Sequence, residues 1–523
     1  MTEQITPQAK RLPAAVFVLS FTGALVFLYL RTFLLPATPF ATLEDQVLFF
    51  VRAVRILHGQ VLYRDFFEFV TPGTDLLYAA AFKIFGIHAW VMQAWLIAVG
   101  LAMAAVITLI SCRLFRGPMM TILLPALLFI VFDFNSGLDL THHWFSAFAA
   151  LCAVAVLTGG VETWRFFAAS FFCGVAALFT QTEGALAFIA LAIYWLWFKQ
   201  RRAEKSSALR NLAALILPFV VTVSCVLGYY ASRAGVHTLF FDLIIFPVRY
   251  LSLSKANQPQ TYLDQLPSIH RWADIFRIVP LAFIYILVPY IYLFGIYRLW
   301  RERKLLPAAT QRTLILLHLF GVALFLAVAN GPRYFRLCTV APPAILIFTW
   351  LVSGESFARR TARRALCVSA FLCAVLFALH RQTQWHATLN LPIGHTAFSD
   401  PPSFQKYQWM AQRTRPSELF YNDPALGLYL SLNNSTASDF VTYEEYTRPG
   451  EISALVRSLQ MQPPTFVILL RNGADYTAAR DSSGPFREYV YENYRWVQTF
   501  SLGQSSVYQQ EVWERKSSLS RVD

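Results

Sequence analysis

Long apolar runs recur through the first 380 residues of this 523-residue chain, and the short loops between them alternate in charge. Every second loop, counted from the N-terminus, is rich in Lys and Arg. Together with the N-terminus, these loops carry 19 Lys and Arg against 5 Asp and Glu. A helix needs about 20 apolar residues to cross a bilayer, and loops rich in Lys and Arg stay on the cytoplasmic side. The pattern predicts an integral membrane protein with its N-terminus inside and its C-terminus outside.

The composition supports this fold class and argues against others. With 56% hydrophobic and 14% charged residues, the chain is too apolar for an ordinary soluble domain. The net charge of +14 is carried by the basic loops, so it does not indicate nucleic-acid binding. The seven cysteines lie in or beside apolar runs, and the histidines form no H-E-x-x-H motif. We therefore expect neither a disulfide framework nor a dedicated zinc site.

We expect an α-helical integral membrane protein with about eleven transmembrane helices and a small C-terminal α/β domain. Two outside loops, 36–87 and 232–277, are too long to be simple turns and are therefore candidates for functional segments. The predicted spans are 12–35, 88–111, 119–134, 143–160, 166–180, 183–198, 211–231, 279–298, 313–330, 337–353 and 365–380.

After the last predicted span, charged residues become more frequent and turn-forming residues recur. We expect residues 1–380 to form the membrane domain and 381–523 to form the extracytoplasmic domain. Short strands are predicted at Glu418–Tyr421, Phe466–Leu470 and Ser505–Val512, and a helix at Glu451–Gln460.

The first outside loop begins with an amphipathic pattern. Apolar residues at helical spacing follow Thr42-Leu-Glu-Asp45, with Arg52 and Arg55 between them, and Gly59 ends the pattern. Such a helix is expected to lie in the membrane interface with its apolar stripe down and its charges toward water. A second helix is expected after Thr71-Pro-Gly73.

The carboxylates at the start of this helix, Glu44 and Asp45, are candidates for general-base chemistry. A carboxylate at the membrane surface can take a proton from an acceptor hydroxyl. The alternative is structural, because Thr42 and Asp45 also have the spacing of a capping box.

Basic residues in the outside loops are candidates for binding an anion. Arg64 can bind phosphate oxygens with both arms of its guanidinium, or instead form a local ion pair with Asp65 or Glu68. For a second set the alternative is contact with lipid phosphate at the membrane surface. That set consists of Arg249, Lys255, Arg333 and Arg336.

Polar residues around the next outside turns are candidates for holding a sugar or acceptor. Asp139, His142 and His143 can bind a metal or a sugar hydroxyl, or else Asp139 or Thr141 simply caps the fourth span. Glu183 either faces a polar interior or reaches the aqueous surface, since acids at membrane depth are costly.

Four segments of the first outside loop resemble the corresponding loop of GT-C glycosyltransferases. The similarity is greatest to family 39, which includes protein O-mannosyltransferases and the lipid A aminoarabinose transferase, and to RgtA-type domains. The segments are Leu43-Glu-Asp-Gln46, Gly59-Gln-Val-Leu-Tyr-Arg-Asp65, Thr71-Pro-Gly73 and Phe82-Lys-Ile-Phe-Gly86. The resemblance implies a multi-span core, an acidic residue at the start of this loop and often an exported C-terminal domain.

The resemblance also implies roles for single residues. Asp45 matches the catalytic aspartate, but the usual Asp-Glu pair is Asp45-Gln46 here, so the second acid is absent or displaced to Glu44. The aminoarabinose transferases carry Lys-Pro-Pro where this chain has Val70-Thr-Pro72. Their phosphate-binding lysine is therefore missing, which leaves Arg64 as a substitute.

The function implied is an inverting transfer of a sugar from a polyprenyl phosphate to a glycan, lipid or protein on the outer face of a bacterial inner membrane. The expected partners are that donor, the acceptor and membrane lipid, without nucleic acid. No cofactor is expected, and a divalent metal requirement stays open. The alternatives are a lipid or glycan transporter or flippase, and a non-catalytic scaffold. Against a transporter, the sequence shows no internal repeat and no matched pair of interrupted helices.

The orientation can be tested by cysteine labelling in intact cells or spheroplasts. A cysteine introduced at Ser435 should react with an impermeant maleimide, because the C-terminal residues are expected outside, whereas one at Ser206 should not. The opposite labelling pattern would contradict the predicted topology.

Overall fold

The computed structural model describes residues 14–43, 45–115, 118–198, 205–251, 257–262, 274–415, 418–432, 450–472, 484–502 and 505–516. Most of these residues are helical, and the strands are concentrated after residue 386.

The helices up to residue 249 are α1 (Ala14–Thr32), α2 (Gln46–Leu57), α3 (Gly73–Phe85), α4 (Ala89–Leu114), α5 (Met119–Leu128), α6 (His142–Thr158), α7 (Thr163–Phe179), α8 (Gln181–Phe198), α9 (Lys205–Ala234), α10 (Val236–Phe240) and α11 (Phe246–Arg249). The later helices are α12 (Asp274–Glu302), α13 (Ala308–Val328), α14 (Tyr334–Val340), α15 (Pro342–Val352), α16 (Phe357–Thr383), α17 (Pro401–Ala411), α18 (Pro424–Ser431), α19 (Glu451–Met461) and α20 (Gly484–Asn493). The strands are β1 (Phe33–Leu34), β2 (Thr38–Pro39), β3 (Ala387–Leu391), β4 (Gly394–Phe398), β5 (Phe420–Tyr421), β6 (Phe466–Asn472), β7 (Tyr494–Leu502) and β8 (Ser505–Arg515).

Each of the eleven predicted spans coincides with a helix or a helix pair. Among the described residues, seven helices are long and apolar enough to cross a membrane, and eight if α14 and α15 count as one span. That pair is bent by 68°, because Pro342 and Pro343 at the start of α15 cannot donate hydrogen bonds to the preceding turn. The three remaining runs form α6, α7 and α8, of 17, 17 and 18 residues. The predicted fold class is confirmed, with fewer full-length spans than expected.

Contacts divide the chain into two compact units. The first comprises Met1–Arg31, Leu96–Gly228 and Ala256–Leu379. Within it, α6, α7, α8 and α13 pack against one another in turn. A side chain at Gly184 would place its Cβ 2.1 Å from the main-chain nitrogen of Ala177, so only glycine permits the close packing of α7 and α8.

The second unit comprises Thr32–Trp95, Tyr229–Lys255 and His380–Asp523, so it joins the first outside loop to the C-terminal residues. Its largest sheet has the strand order β5-β6-β8-β7, with β5 parallel to β6 and the other pairs antiparallel. Helices α19 and α20 pack on this sheet over an apolar core that includes Tyr421, Leu459 and Val467. These elements confirm the predicted C-terminal α/β fold. The assignment of 1–380 to the membrane and 381–523 to the outside stays a prediction.

Helix α2 is the predicted helix of the first outside loop, but its charges do not face water. Nine of its twelve residues are buried, including Arg52 and Arg55. The guanidinium of Arg55 binds the side-chain oxygen of Gln60 at 2.7 Å and lies over the ring of Phe66. The expectation of an amphipathic surface helix was therefore wrong, because residues further along the loop cover its polar face.

Candidate active site

Asp45 stands at the N-cap of α2 with its side chain exposed. Its carboxylate makes no capping hydrogen bond to the helix. Thr42 does not complete a capping box either, because α2 begins at Gln46 with Asp45 at its N-cap. The Thr42 hydroxyl instead accepts a hydrogen bond from Nε2 of Gln93 at 2.9 Å. Glu44 lies outside the described residues. Among the described residues, the Asp45 carboxylate thus makes no capping hydrogen bond that it would lose if it acts in chemistry.

Arg64 forms the local ion pair that was the alternative to phosphate binding. Its Nε and Nη2 donate to the two carboxylate oxygens of Asp65 at 2.9 and 2.8 Å. Asp65 also accepts a hydrogen bond from the N–H of Val61 at 2.7 Å. This pairing with the guanidinium lowers the pKa of Asp65 and raises that of Arg64. Both side chains are partly exposed, so a phosphate would have to compete with Asp65 for the guanidinium.

The first outside loop also contains a buried charge cluster that was not predicted from the sequence. Arg52 forms an ion pair with Glu68, and a carboxylate oxygen of Asp75 lies 4.0 Å from the Arg52 guanidinium. All three side chains are at most 2% exposed. Glu68 also accepts hydrogen bonds from the N–H groups of Phe69 and Val70 at 2.8 and 2.9 Å. The Glu68 carboxylate therefore holds the main chain just before α3 and also neutralises Arg52 of α2.

Tyr63 reinforces the same turn. It adopts a left-handed backbone conformation with φ of 66°, and its hydroxyl donates to the carbonyl of Val70 at 2.7 Å. A non-glycine residue in this region is uncommon and needs support from its surroundings. Here the hydrogen bond and the buried ring supply that support, so the loop between α2 and α3 has a fixed shape.

Asp75 differs from Glu68 in its hydrogen bonding. Neither of its carboxylate oxygens has a hydrogen-bond partner within the part of the chain that the structure describes. Burial raises the pKa of Asp75 well above its ordinary value, with the charge of Arg52 opposing this shift and that of Glu68 adding to it. The two acids next to Arg52 therefore have unequal roles, one as its ionised partner and the other as a group that favours the protonated form.

The first compact unit contains a second polar cluster, which joins two of the predicted sugar or acceptor residues. Nδ1 of His143 lies 2.5 Å from Oε1 of Glu183, and Nδ1 of His142 lies 2.8 Å from the hydroxyl of Thr180. Glu183 is 1% exposed and His143 is 14% exposed. A carboxylate on Nδ1 fixes the orientation of an imidazole and leaves Nε2 as the ring nitrogen available to a ligand. This pair can bind, or accept a proton from, a hydroxyl group.

The other predicted site residues of the first unit are Arg336, Arg333 and Asp139. Arg336 acts electrostatically on both His143 and Glu183, and its Nη1 donates to the carbonyl of Gly331 at 3.2 Å. Arg333 occupies the N-cap of α14 and is half-buried. Asp139 is half-buried as well, and its carbonyl accepts a hydrogen bond from the N–H of the residue at the N-cap of α6.

Arg249 and Lys255 are the remaining predicted anion-binding residues. Arg249 ends α11, with its guanidinium carbon 5.5 Å from the ring centroid of Tyr250. Lys255 lies outside the described residues. A shared anion pocket of Arg249 and Lys255 with Arg333 and Arg336 stays a prediction. Within the described ranges, no group of three or more His, Cys, Asp or Glu side chains is arranged to hold a metal ion.

The fold is similar to that of solved membrane proteins, although no protein-family model and no curated protein sequence matches the chain. ArnT from Cupriavidus metallidurans, in a crystal structure with bound undecaprenyl phosphate, superposes with a TM-score of 0.57 at 13% identity. The match covers 96% of this chain and 98% of that one. The apo structure of the same ArnT gives a TM-score of 0.56 at 12% identity over 95% and 98% of the two chains.

At such low identity the similarity establishes the fold alone. This protein is a mostly helical, polytopic membrane protein. More particularly, its architecture is ArnT-like over nearly the full length of both chains. The multi-span fold implied by the resemblance in the first outside loop is thereby confirmed.

The unequal roles of Glu68 and Asp75 predict opposite responses to removal of their charge. Glu68→Gln leaves Arg52 buried without its main partner, so we expect a loss of about 3–5 kcal/mol in the free energy of unfolding at neutral pH. Asp75→Asn removes a group that keeps its proton in the folded state at pH values where the unfolded chain releases it. The free energy of unfolding of the wild type therefore falls as pH rises above about 4. That of Asp75→Asn should not show this decrease.

Thermal unfolding in detergent between pH 5 and 9 measures both effects. As pH rises, the melting temperature of Asp75→Asn should increase relative to that of wild type. A variant that is less stable than wild type by a constant amount between pH 5 and 9 would show that Asp75 is instead an ionised partner of Arg52, because a carboxylate with a lowered pKa is already ionised throughout this range.

Proposed function

We propose that this protein is an inverting glycosyltransferase that uses a polyprenyl phosphate sugar as donor. The observation that carries the proposal is the nearly full-length similarity of the fold to ArnT crystallised with undecaprenyl phosphate. The proposal also includes the site of reaction, on the outer face of a bacterial inner membrane. The positive charge of alternate loops supports that orientation.

Asp45 is the proposed general base. In the transfer, its carboxylate takes the proton of an acceptor hydroxyl while the hydroxyl oxygen attacks the anomeric carbon of the donor sugar. The bond from that carbon to the phosphate oxygen breaks, and the polyprenyl phosphate leaves with both electrons. The exposed carboxylate without a capping bond supports this role, as does its match to the family's catalytic aspartate.

Arginine side chains are the proposed stabilisers of the leaving phosphate, on which charge develops in the transition state. Arg64 is proposed for this task because its guanidinium already binds a carboxylate in the two-pronged geometry that phosphate also accepts. Arg333 and Arg336 are proposed to contribute as well. The His143–Glu183 pair is proposed to orient a hydroxyl of the sugar or acceptor through Nε2 of the imidazole.

Asp45→Asn tests the proposal with little structural cost. Because the Asp45 side chain is exposed and makes no capping bond, the melting temperature should stay near wild type. Loss of a general base should lower transfer by about 10²–10⁴-fold. The assay uses a panel of polyprenyl phosphates carrying radiolabelled hexoses or pentoses, with cell membranes as the source of acceptor.

Asp400→Asn is the matched control, because Asp400 is also an N-cap residue, on α17 of the C-terminal region. This variant loses the same charge at the same kind of helix position, and transfer should persist. Transfer by Asp45→Asn at the wild-type rate would refute the role of Asp45. Donor binding by wild type without any transfer would favour a transporter instead.

A further inference from the structure

The C-terminal residues hold the chain segment that leads to Asp45. Gln382 bonds this segment twice, since its amide nitrogen donates to the carbonyl of Phe33 at 2.7 Å and its amide oxygen accepts from the N–H of Leu35 at 3.1 Å. The guanidinium of Arg381 lies 3.8 Å from the ring centroid of Phe40. These contacts fasten β1, β2 and the following residues to the end of α16.

The fastening continues toward Asp45 along β4. The N–H of Ala41 donates to the carbonyl of Ala397 at 2.8 Å, and Phe40 forms a parallel bridge with the same residue. On the other side, Nε2 of Gln93 donates to the carbonyl of Phe40 at 2.8 Å and to the hydroxyl of Thr42 at 2.9 Å. The main chain is therefore held on both sides up to three residues before Asp45.

Tyr429 of α18 makes the last of these contacts, and it binds both main-chain groups of one residue. Its hydroxyl accepts a hydrogen bond from the N–H of Thr42 at 2.8 Å and donates to the carbonyl of Thr42 at 3.2 Å. The ring is fully buried, and α18 packs against α2, the helix that directly follows Asp45. Because a buried main-chain N–H and C=O need partners, this hydroxyl restricts where the main chain of Thr42 can lie.

A buried ion pair holds α18 in place. Asp423 caps the helix by accepting a hydrogen bond from the N–H of Leu426 at 3.2 Å. Its carboxylate also binds Nζ of Lys406 at 2.8 Å, and Nζ donates in turn to the side-chain oxygen of Gln510 on β8 at 2.7 Å. The position of Tyr429 is thus set by the sheet and helices of the C-terminal region.

We propose that Tyr429 is a positioning residue for Asp45, and that the C-terminal α/β region serves to hold the general base in its reactive place. This inference rests on the proposed function, because it requires that Asp45 be the base. A displacement of about 1 Å at a reacting group can cost two orders of magnitude in rate. Loss of the Tyr429 hydroxyl removes the partner of both main-chain groups of Thr42 and so allows a displacement of that size at Asp45, three residues further on.

Tyr429→Phe removes the hydroxyl and keeps the ring. We expect kcat to fall about 10- to 100-fold. The KM for the polyprenyl phosphate sugar should change by less than about threefold, since the variant loses an interaction felt only in the transition state. Hydrogen exchange of the amides at residues 40–45 should become faster.

Tyr407→Phe is the matched control. Tyr407 is a buried tyrosine of α17 whose ring centroid lies 5.7 Å from that of Tyr429. Its hydroxyl has no hydrogen-bond partner among the described residues. Removal of this hydroxyl should leave kcat, KM and the exchange of residues 40–45 at wild-type values.

The double variant Asp45→Asn/Tyr429→Phe separates positioning from a general loss of structure. If Tyr429 acts through Asp45, the double variant should transfer no more slowly than Asp45→Asn alone, because effects of residues that act as a unit do not add. A further loss in the double variant, or wild-type kcat in Tyr429→Phe while Asp45→Asn is inactive, would overturn the positioning role alone. Full activity in Asp45→Asn would instead overturn the proposed function.

Discussion

Main-chain hydrogen bonding is the constraint on which the rest of this structure depends. In hydrocarbon each N–H and C=O must find a partner within the protein, which makes helices the form of every apolar run here. The same requirement governs the first outside loop, where the chain leaves helical structure. Its carbonyl and amide groups are satisfied by side chains such as Glu68, Gln382 and Tyr429. A loop whose main-chain groups are bonded in this way has a defined shape. The Asp45 carboxylate, at the start of α2, therefore has a defined position.

The charged residues of the first outside loop fall into a buried group and an exposed group. Arg52 is deeply buried and neutralised by Glu68, so it supports the fold and is closed to a ligand of any size. Arg64 and Asp45 are exposed, where a donor phosphate and an acceptor hydroxyl can reach them. In the other compact unit, His143 retains partial exposure while Glu183 behind it is buried. Arg52 and His143 are thus each paired with a buried acid, whereas Arg64 and Asp45 are left exposed, where they are suited to chemistry.

The features that could be predicted from sequence are those that depend on neighbouring residues. The apolar runs, the basic loops and the strands near Phe466 and Ser505 all have local signals, and they correspond to elements of the structure. Long-range pairings have no such signal. The bond from Thr42 to Tyr429 joins residues 387 positions apart, and that from His143 to Glu183 joins residues 40 apart. The burial of Arg52 was not predicted for the same reason. Its partner Glu68 lies outside α2, and the periodicity of α2 alone suggested a surface position.

The identity of the lipid bound by the wild-type protein tests the central claim most directly. The protein is purified in a mild detergent, its bound lipids are identified by mass spectrometry, and native mass spectrometry follows the addition of undecaprenyl phosphate. The account predicts a co-purifying polyprenyl phosphate and a saturable complex with the added lipid. Phospholipids alone, together with no complex at any concentration of added undecaprenyl phosphate, would contradict a polyprenyl phosphate donor.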